Sequence, residues 1–310
     1  MQLPFEQFMT ELRDTDEVVV RSKLANLSEL SPEELDIFRS RWPDIDVERR
    51  RQVVGQLAEL AEENLELDFD GVLRACLADT DTEVRTNAIE GLWDCEELAL
   101  LDQLIVLLLE DSMPSVRAAA ACALRKFALL AELGKISEED ASRVEKALLA
   151  AWDNKEEQLE VCRRTLEAIS PISKPVVTDL IRQAYNSDNF DLQVSALYAM
   201  GQNCDPVWLT MLLQELRSPH AEKRFEAARA CGELEFEEAV PSLIELIADL
   251  DSQVRISAIE ALGKIGGGSA KEALQRCMAS PDDVSQEAAR EALGEMLFLE
   301  DPFSLNMEDY

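Results

Sequence analysis

The side chains that most often perform chemistry are scarce in this chain, or stand in the wrong places for it. Its 310 residues include a single histidine, His220, in the turn-like stretch SPHAEK. Any Ser-His-Asp or Cys-His relay would have to use that one imidazole, and an ordinary His-based zinc site would lack ligands. The seven cysteines (Cys76, Cys95, Cys122, Cys162, Cys204, Cys231 and Cys277) stand singly, and an odd number without a CxxC pair does not suggest a disulfide framework. Cys162 and Cys231 take small or apolar positions and read as core, where a free thiol behaves as a small hydrophobe. Cys162, beside Arg163 and Arg164, comes nearest to an activated thiol, but thiolate-favouring surroundings are rare in so acidic a chain. In GKIGGGS (Gly263–Ser269) the lysine precedes the glycines and no strand leads in, so a helix-to-helix turn is expected, not a phosphate loop. DTDTE (Asp79–Glu83) lacks the glycine of a calcium loop, and paired carboxylates such as Glu62–Glu63 are too common to mark an acid-base dyad. No catalytic residue, metal or cofactor is expected.

Charge narrows the partners. Acidic residues number 63 against 30 basic, a formal net charge of −33. Nucleic-acid binders neutralise phosphate with Lys and Arg, so this balance excludes DNA and RNA, and anionic lipid surfaces for the same reason. A protein partner with a basic segment fits better. The most apolar run, Leu98–Leu109, is broken by Asp102 and Gln103 and falls short of a membrane span of roughly 18 residues. MQLPFEQFMTELRD has neither the basic start nor the apolar stretch of a signal peptide, so a reduced, cytoplasmic protein is expected.

Some charged residues do recur. Asp79 and Arg85, Asp111 and Arg117, and Asp249 and Arg255 each stand six apart within one pattern: DTDTEVRTNAIEGL, DSMPSVRAAAACAL and DLDSQVRISAIEAL. Weaker copies begin at Asp153, Ser187, Ser218 and Pro281, and a degenerate one, PDIDVERRRQVVGQL, ends at Leu57. Aligned on the valine position they fall at 49, 84, 116, 158, 192, 223, 254 and 285, a spacing of 31 to 42 residues. Two short helices and two turns fill that period. A catalytic site is built once, so residues repeated this way serve the scaffold. The turn carboxylate can cap the following helix, and the arginine on its first turn can reach the aspartate of its own or the adjacent repeat.

A second amphipathic segment precedes most copies: Leu98–Glu110, Ser142–Asp153, Val176–Tyr185, Val207–Leu216, Val240–Ala248 and Ala270–Met278, with apolar residues at helical spacing. Pro206 and Pro241 mark helix starts, and Gly201, Gly232, Gly263 and Gly294 are expected as C-caps of the second helices. With 47% hydrophobic but only 5% aromatic residues, the core suits closely packed helices. Helices this short are unstable alone and must bury their stripes against neighbours.

The D…VRxxAxxxL units, with ALGKIGG (Ala261–Gly267) as the strongest local match, resemble the HEAT-repeat family in its short, phycobilisome-lyase-like variety, over roughly residues 44–295. The resemblance implies an all-α, right-handed superhelical solenoid of about eight helical hairpins, with an Asp/Arg ladder fixing the rotation between repeats. Expected boundaries are an N-terminal helical cap at 1–43, a solenoid at 44–298 with an insertion near 126–138 that extends a helix or breaks the curvature, and an acidic tail at 299–310. Some HEAT-like enzymes hold a di-iron centre with paired His-Glu motifs, and this chain lacks those ligands.

One asymmetry points to a binding face. Positions two and six after the repeat valine share the exposed side of each second helix, expected to line the concave face of the solenoid. The later position is Glu90, Glu260 and Glu291 in the outer copies. In the middle copies the pair becomes Glu160/Arg164, Val194/Tyr198 and Phe225/Arg229. Aromatic and arginine side chains in a row are typical of interface hot spots. Arg164, Tyr198, Phe225 and Arg229 are therefore the expected partner-binding residues. The expected role is a monomeric, non-enzymatic scaffold that binds a partner protein on this face. The alternative is a phycobilin-lyase-like, chromophore-handling enzyme or a chaperone.

Overall fold

The computed structural model describes residues 4–14, 19–64, 66–279 and 282–300. Among these the regular structure is helical throughout, and the chain divides into two compact units, Met1–Ala168 and Ile169–Tyr310. The first holds α1 (Pro4–Arg13), α2 (Arg21–Leu24), α3 (Pro32–Arg41) and α4 (Val47–Glu63). Hairpins follow: α5 (Asp70–Cys76) with α6 (Thr82–Gly91), then α7 (Leu98–Glu110) with α8 (Pro114–Glu132). Next come α9 (Glu138–Asp153) and α10 (Leu159–Ile169), the latter reaching the boundary between units. The second unit pairs α11 (Pro175–Tyr185) with α12 (Phe190–Asn203), and α13 (Leu209–Glu215) with α14 (Ala221–Glu233). Two further pairs complete it: α15 (Val240–Leu246) with α16 (Ser252–Ile265), and α17 (Gly268–Cys277) with α18 (Asp283–Glu300). Second helices pack side by side, α4 on α6 and α6 on α8 in the first unit, and α12 on α14, α14 on α16 and α16 on α18 in the second, as expected of a repeat solenoid.

Local sequence accounts for the helix limits. Ser31 and Glu34 form a reciprocal capping box at the start of α3, and Ser137 and Asn189 cap α9 and α12. Pro114 and Pro175 open α8 and α11, where a missing N–H costs nothing. Among the described residues α8 is the longest helix, at 19 residues, and it runs into the 126–138 stretch as far as Glu132. The core is built from leucine, alanine and valine, with Phe38, Phe127 and Trp208 wholly buried. The C-terminal tail lies outside the described residues beyond 300.

The glycines correct one expectation. Gly201, Gly232, Gly263 and Gly294 lie inside α12, α14, α16 and α18, with φ in the ordinary negative range. They do not cap; three of them let helices approach. A Cβ on Gly201 would stand 2.9 Å from the Ala230 Cα, and one on Gly232 2.8 Å from the Ala261 Cα. One on Gly263 would stand 2.8 Å from the Ala292 Cβ, whereas Gly294 has nothing within 4 Å. The positive-φ residue that ends each helix comes three positions later: Cys204 (φ 53°), Glu235 (φ 50°) and Gly266 (φ 74°). Only the last of these is a glycine.

Candidate functional site

The recurring arginines form a ladder with a consistent geometry. Arg85 Nε and Nη2 grip both oxygens of Asp111 at 2.8 and 3.0 Å, while Nη1 donates to the Asp79 carbonyl oxygen at 2.8 Å. Arg117 grips Glu157 at 2.9 and 2.6 Å and donates to the Asp111 carbonyl at 2.7 Å. Arg224 does the same with Asp249 at 2.7 and 2.8 Å and the Ser218 carbonyl at 2.8 Å. Each arginine therefore takes the carbonyl six residues back in its own turn and the carboxylate of the following repeat. Arg255 reaches the Asp282 carboxylate through Nη2 at 3.0 Å and the Asp249 carbonyl through Nη1 at 3.0 Å. Asp79 itself accepts from Arg50 at 2.6 Å and from the Trp42 indole N–H at 2.7 Å.

The same carboxylates brace their turns. Asp79, Asp111 and Asp249 each accept the backbone N–H two residues on, at 2.8 to 2.9 Å. Capping of the next helix falls to a second aspartate: Asp81 accepts from Glu83 and Val84, and Asp251 from Gln253 and Val254. Three arginine positions are vacant in the pattern. Leu159 occupies one; at the second, Gln193 keeps only the carbonyl contact, donating to Ser187 at 2.6 Å, and at the third, Gln286 donates to the Met278 carbonyl at 2.6 Å. Beside Gln193, Tyr185 Oη donates to the buried Glu215 at 2.7 Å, with Lys223 Nζ at 3.6 Å from the same carboxylate.

The expected partner-binding residues divide between the units. Arg164, on α10 of the first, donates to Glu160 and Glu167 at 2.8 and 2.9 Å. The other three stand together in the second. The Arg229 guanidinium lies 4.2 Å from the centre of the Tyr198 ring and pairs with Glu226 at 2.8 Å. Phe225, one turn earlier on α14, is half-buried, as is Tyr198. A cleft of about 360 Å³ opens beside Phe225, lined by Val194, Ala221, Glu222, Glu226, Asp251 and Gln253 as well. Glu222, Glu226 and Asp251 were not foreseen as part of this face, because their convergence depends on how α14 and α16 are staggered.

Acid surrounds the apolar patch on the neighbouring helices. The Glu260 carboxyl is held above its ordinary range by partial burial first, with Glu295 and Glu291 adding to the effect and Lys264 opposing it. The remaining candidates for chemistry are ordinary. Burial pushes the Cys162 thiol up, and Glu157 adds to this, so a thiolate is disfavoured there. Cys231 is buried and pushed up to about 12. His220 is exposed and packs edge-on to Phe190, with ring centroids 5.0 Å apart. Gly266 and Gly267 form the turn into α17, which has no strand before it. Among the described residues no group of three or more His, Cys, Asp or Glu could hold a metal ion, and no helix is long and apolar enough to cross a membrane.

Comparison with known proteins agrees with this architecture. Residues 209–294 match the family model for HEAT repeats. No curated protein sequence matches the chain. Among solved structures, the complex of CpcE and CpcF of phycocyanin lyase from a Nostoc species is similar, with a TM-score of 0.55 and 18% identity over 92% of this chain and 97% of that one. Yeast importin-β is similar with a TM-score of 0.56 and 12% identity, over 97% of this chain but only 47% of its own length. At these identities the likeness concerns the fold alone. Residues 209–294 thus carry the HEAT-repeat sequence pattern, and the chain shares the fold of helical-repeat solenoids.

Proposed function

We propose that this chain is a non-enzymatic protein-binding scaffold, and that a partner docks on the face formed by Tyr198, Phe225 and Arg229, with Arg164 on the corresponding face of the first unit. The observation that carries the reading is the Arg229–Tyr198 stack beside Phe225, at equivalent positions of successive second helices. A tyrosine with its arginine already held costs little entropy to dock against, which is what makes such residues interface anchors. The acidic surroundings steer a basic segment toward it. The protein acts in the cytoplasm as a monomer, its charge opposing self-association.

The test is affinity capture from the native organism with the wild-type chain and with the Tyr198→Ala, Phe225→Ala double variant. Loss of a specific wild-type partner in the variant, with helicity by circular dichroism retained, is expected. Unchanged capture of that partner would sink the proposal. A second reading, bilin handling, is favoured by the likeness to phycocyanin lyase over nearly the whole of both chains. Incubation with a free bilin decides it: a shifted visible absorbance that co-elutes with the protein supports the second reading, and an unshifted one removes it.

A further inference from the structure

We propose that the cleft beside Phe225 is an anchor pocket for one large apolar side chain of a basic segment, whose flanking residues are lysine or arginine. This rests on the docking face above and specifies what occupies it. The walls nearest α12 and α14 are Val194, Ala221 and Phe225, which leave apolar surface to be covered. Around them stand Glu222, Glu226 and Asp251, and no lysine or arginine lines the cleft. Asp251 is fixed in place by the N–H groups of Gln253 and Val254, so its charge is preorganised. Glu226 is oriented by its pair with Arg229.

Two opposing effects have to be weighed. The N-termini of α14 and α16 present partial positive charge here, which would repel a cation. That partial charge, about half an elementary charge per helix, is smaller than the full charges of Glu222 in the first turn of α14 and of Asp251 at the cap of α16. The site is therefore net negative. A volume of about 360 Å³ lies at the small end of ligand pockets, roughly 300–1,000 Å³, and suits one side chain better than a whole cofactor.

A larger cleft, between α15 and α17, makes the contrast. It is about 540 Å³ and lined by Ile244, Ile247 and Ala273, but also by Arg255 and Arg276 against a single carboxylate, Asp282. Apolar walls are common to both, so charge decides between them: a lysine-flanked segment is excluded from the arginine-lined cleft and admitted by the acidic one. Charge alone would attract any polycation to a chain of net −33 without preference. The proposal is specific in requiring an apolar residue between the basic ones.

Fluorescence anisotropy with three labelled peptides of equal length tests this. One has phenylalanine at its centre with lysines on both sides, one replaces the phenylalanine by alanine, and one replaces the lysines by glutamate. Binding of the lysine-phenylalanine peptide is expected to be about tenfold tighter than that of its alanine counterpart, in line with burial of one aromatic side chain. The glutamate peptide is expected not to bind. Phe225→Ala should abolish the preference for phenylalanine over alanine, and Phe225→Leu should retain part of it. Glu222→Gln combined with Gln253→Lys should weaken the lysine-phenylalanine peptide about tenfold. Equal binding of the phenylalanine and alanine peptides, or a preference that survives Phe225→Ala, overturns the proposal. The peptide result is independent of partner capture. Capture lost in the Tyr198→Ala, Phe225→Ala variant with no phenylalanine preference leaves the docking face standing and removes the anchor pocket.

Discussion

The two units draw on the same two kinds of joint in different measure. In the first, spacing is uneven, and the second helices α4, α6, α8 and α10 are tied by three ion pairs shielded from solvent, Arg50–Asp79, Arg85–Asp111 and Arg117–Glu157, with one close glycine contact, Gly91 against Ala58. In the second, copies recur every 31 residues and α12, α14, α16 and α18 meet at three successive Gly–Ala contacts, with two rungs, Arg224–Asp249 and Arg255–Asp282. Backbone close approach fixes distance without charge, so the second unit tolerates Gln193 where the pattern calls for arginine. An ion pair instead spans variable geometry, because side chains of different length can close it. Glu157 shows this: it stands four residues past Asp153, where the pattern places the aspartate, and still meets two arginine nitrogens. Regular spacing and ion-pair rungs are thus partly interchangeable ways of setting the rotation between repeats.

Removing a rung is expected to have the largest effect. The Glu157 side chain is 3% exposed, so Arg117→Met would leave a buried, unpaired carboxylate and cost about 3–5 kcal/mol of stability by urea denaturation. A cost below about 1 kcal/mol would mean that the rungs decorate the turns without joining the repeats. The corresponding break in the second unit is Gly232→Val. Its added side chain meets the Ala261 backbone, forcing α14 and α16 apart, at about 1–3 kcal/mol. Gly294→Ala is the control, since nothing lies within 4 Å, and it should leave stability unchanged or raise it by up to about 1 kcal/mol. Equal losses at Gly232 and Gly294 would refute the close-approach account.

How much of this was legible follows from which residues carry local signals. Period, hairpin order and most helix starts can be read because prolines, N-cap residues and apolar stripes act within a few positions. The glycine role could not be read: an interior glycine near a helix end has the same neighbours as a C-cap, and only the partner helix tells them apart. The terminating residues Cys204 and Glu235 give no signal, being neither glycine nor asparagine. The rung at Glu157 was hidden because α9 continues through Asp153, which the pattern alignment places in the turn. On the proposed docking face, the nearness of Tyr198 and Arg229 follows from their equal offsets on the successive second helices α12 and α14. The cleft that brings Glu222 and Asp251 together is built across two helices and has no local signal.

Acid separates the two kinds of joint. Arg117's hydrogen bonds and charge, with the Gln158 N–H, outweigh burial at Glu157 and hold its carboxyl below the ordinary value. At Asp249 the hydrogen bonds from Arg224 come first and burial opposes them, with the same net direction. A carboxylate depressed on folding contributes stability that is present above its unfolded pKa and is lost as pH falls through the folded one. The contribution of these two carboxylates to stability should therefore hold from neutrality to about pH 4.3 and decline below it. The deficit of Arg117→Met should shrink over the same range, as protonation relieves the orphaned Glu157, whereas that of Gly232→Val should not change. A pH-independent deficit for Arg117→Met would show that its loss comes from packing.

The smallest effect concerns how repeats of the second unit end. Cys204, Glu235 and Gly266 stand at the same point of their repeats, 31 residues apart, each with a positive φ, yet only Gly266 (φ 74°, ψ −161°) is free of steric conflict between Cβ and backbone. That conflict costs roughly 1–2 kcal/mol, partly offset by the greater chain entropy that glycine loses on folding. Glu235→Gly should therefore stabilise by about 0.5–1 kcal/mol and also remove one negative charge from a chain of net −33. Glu235→Gln separates the two contributions, since it discharges the site and keeps the Cβ. A gain for glycine well beyond that for glutamine places the strain in the backbone; equal gains place it in the charge. Gly266→Ala should move stability the other way. If it does not, the turn that ends α16 is looser than those that end α12 and α14, and regular spacing in this unit depends on the Gly–Ala contacts without help from the turns.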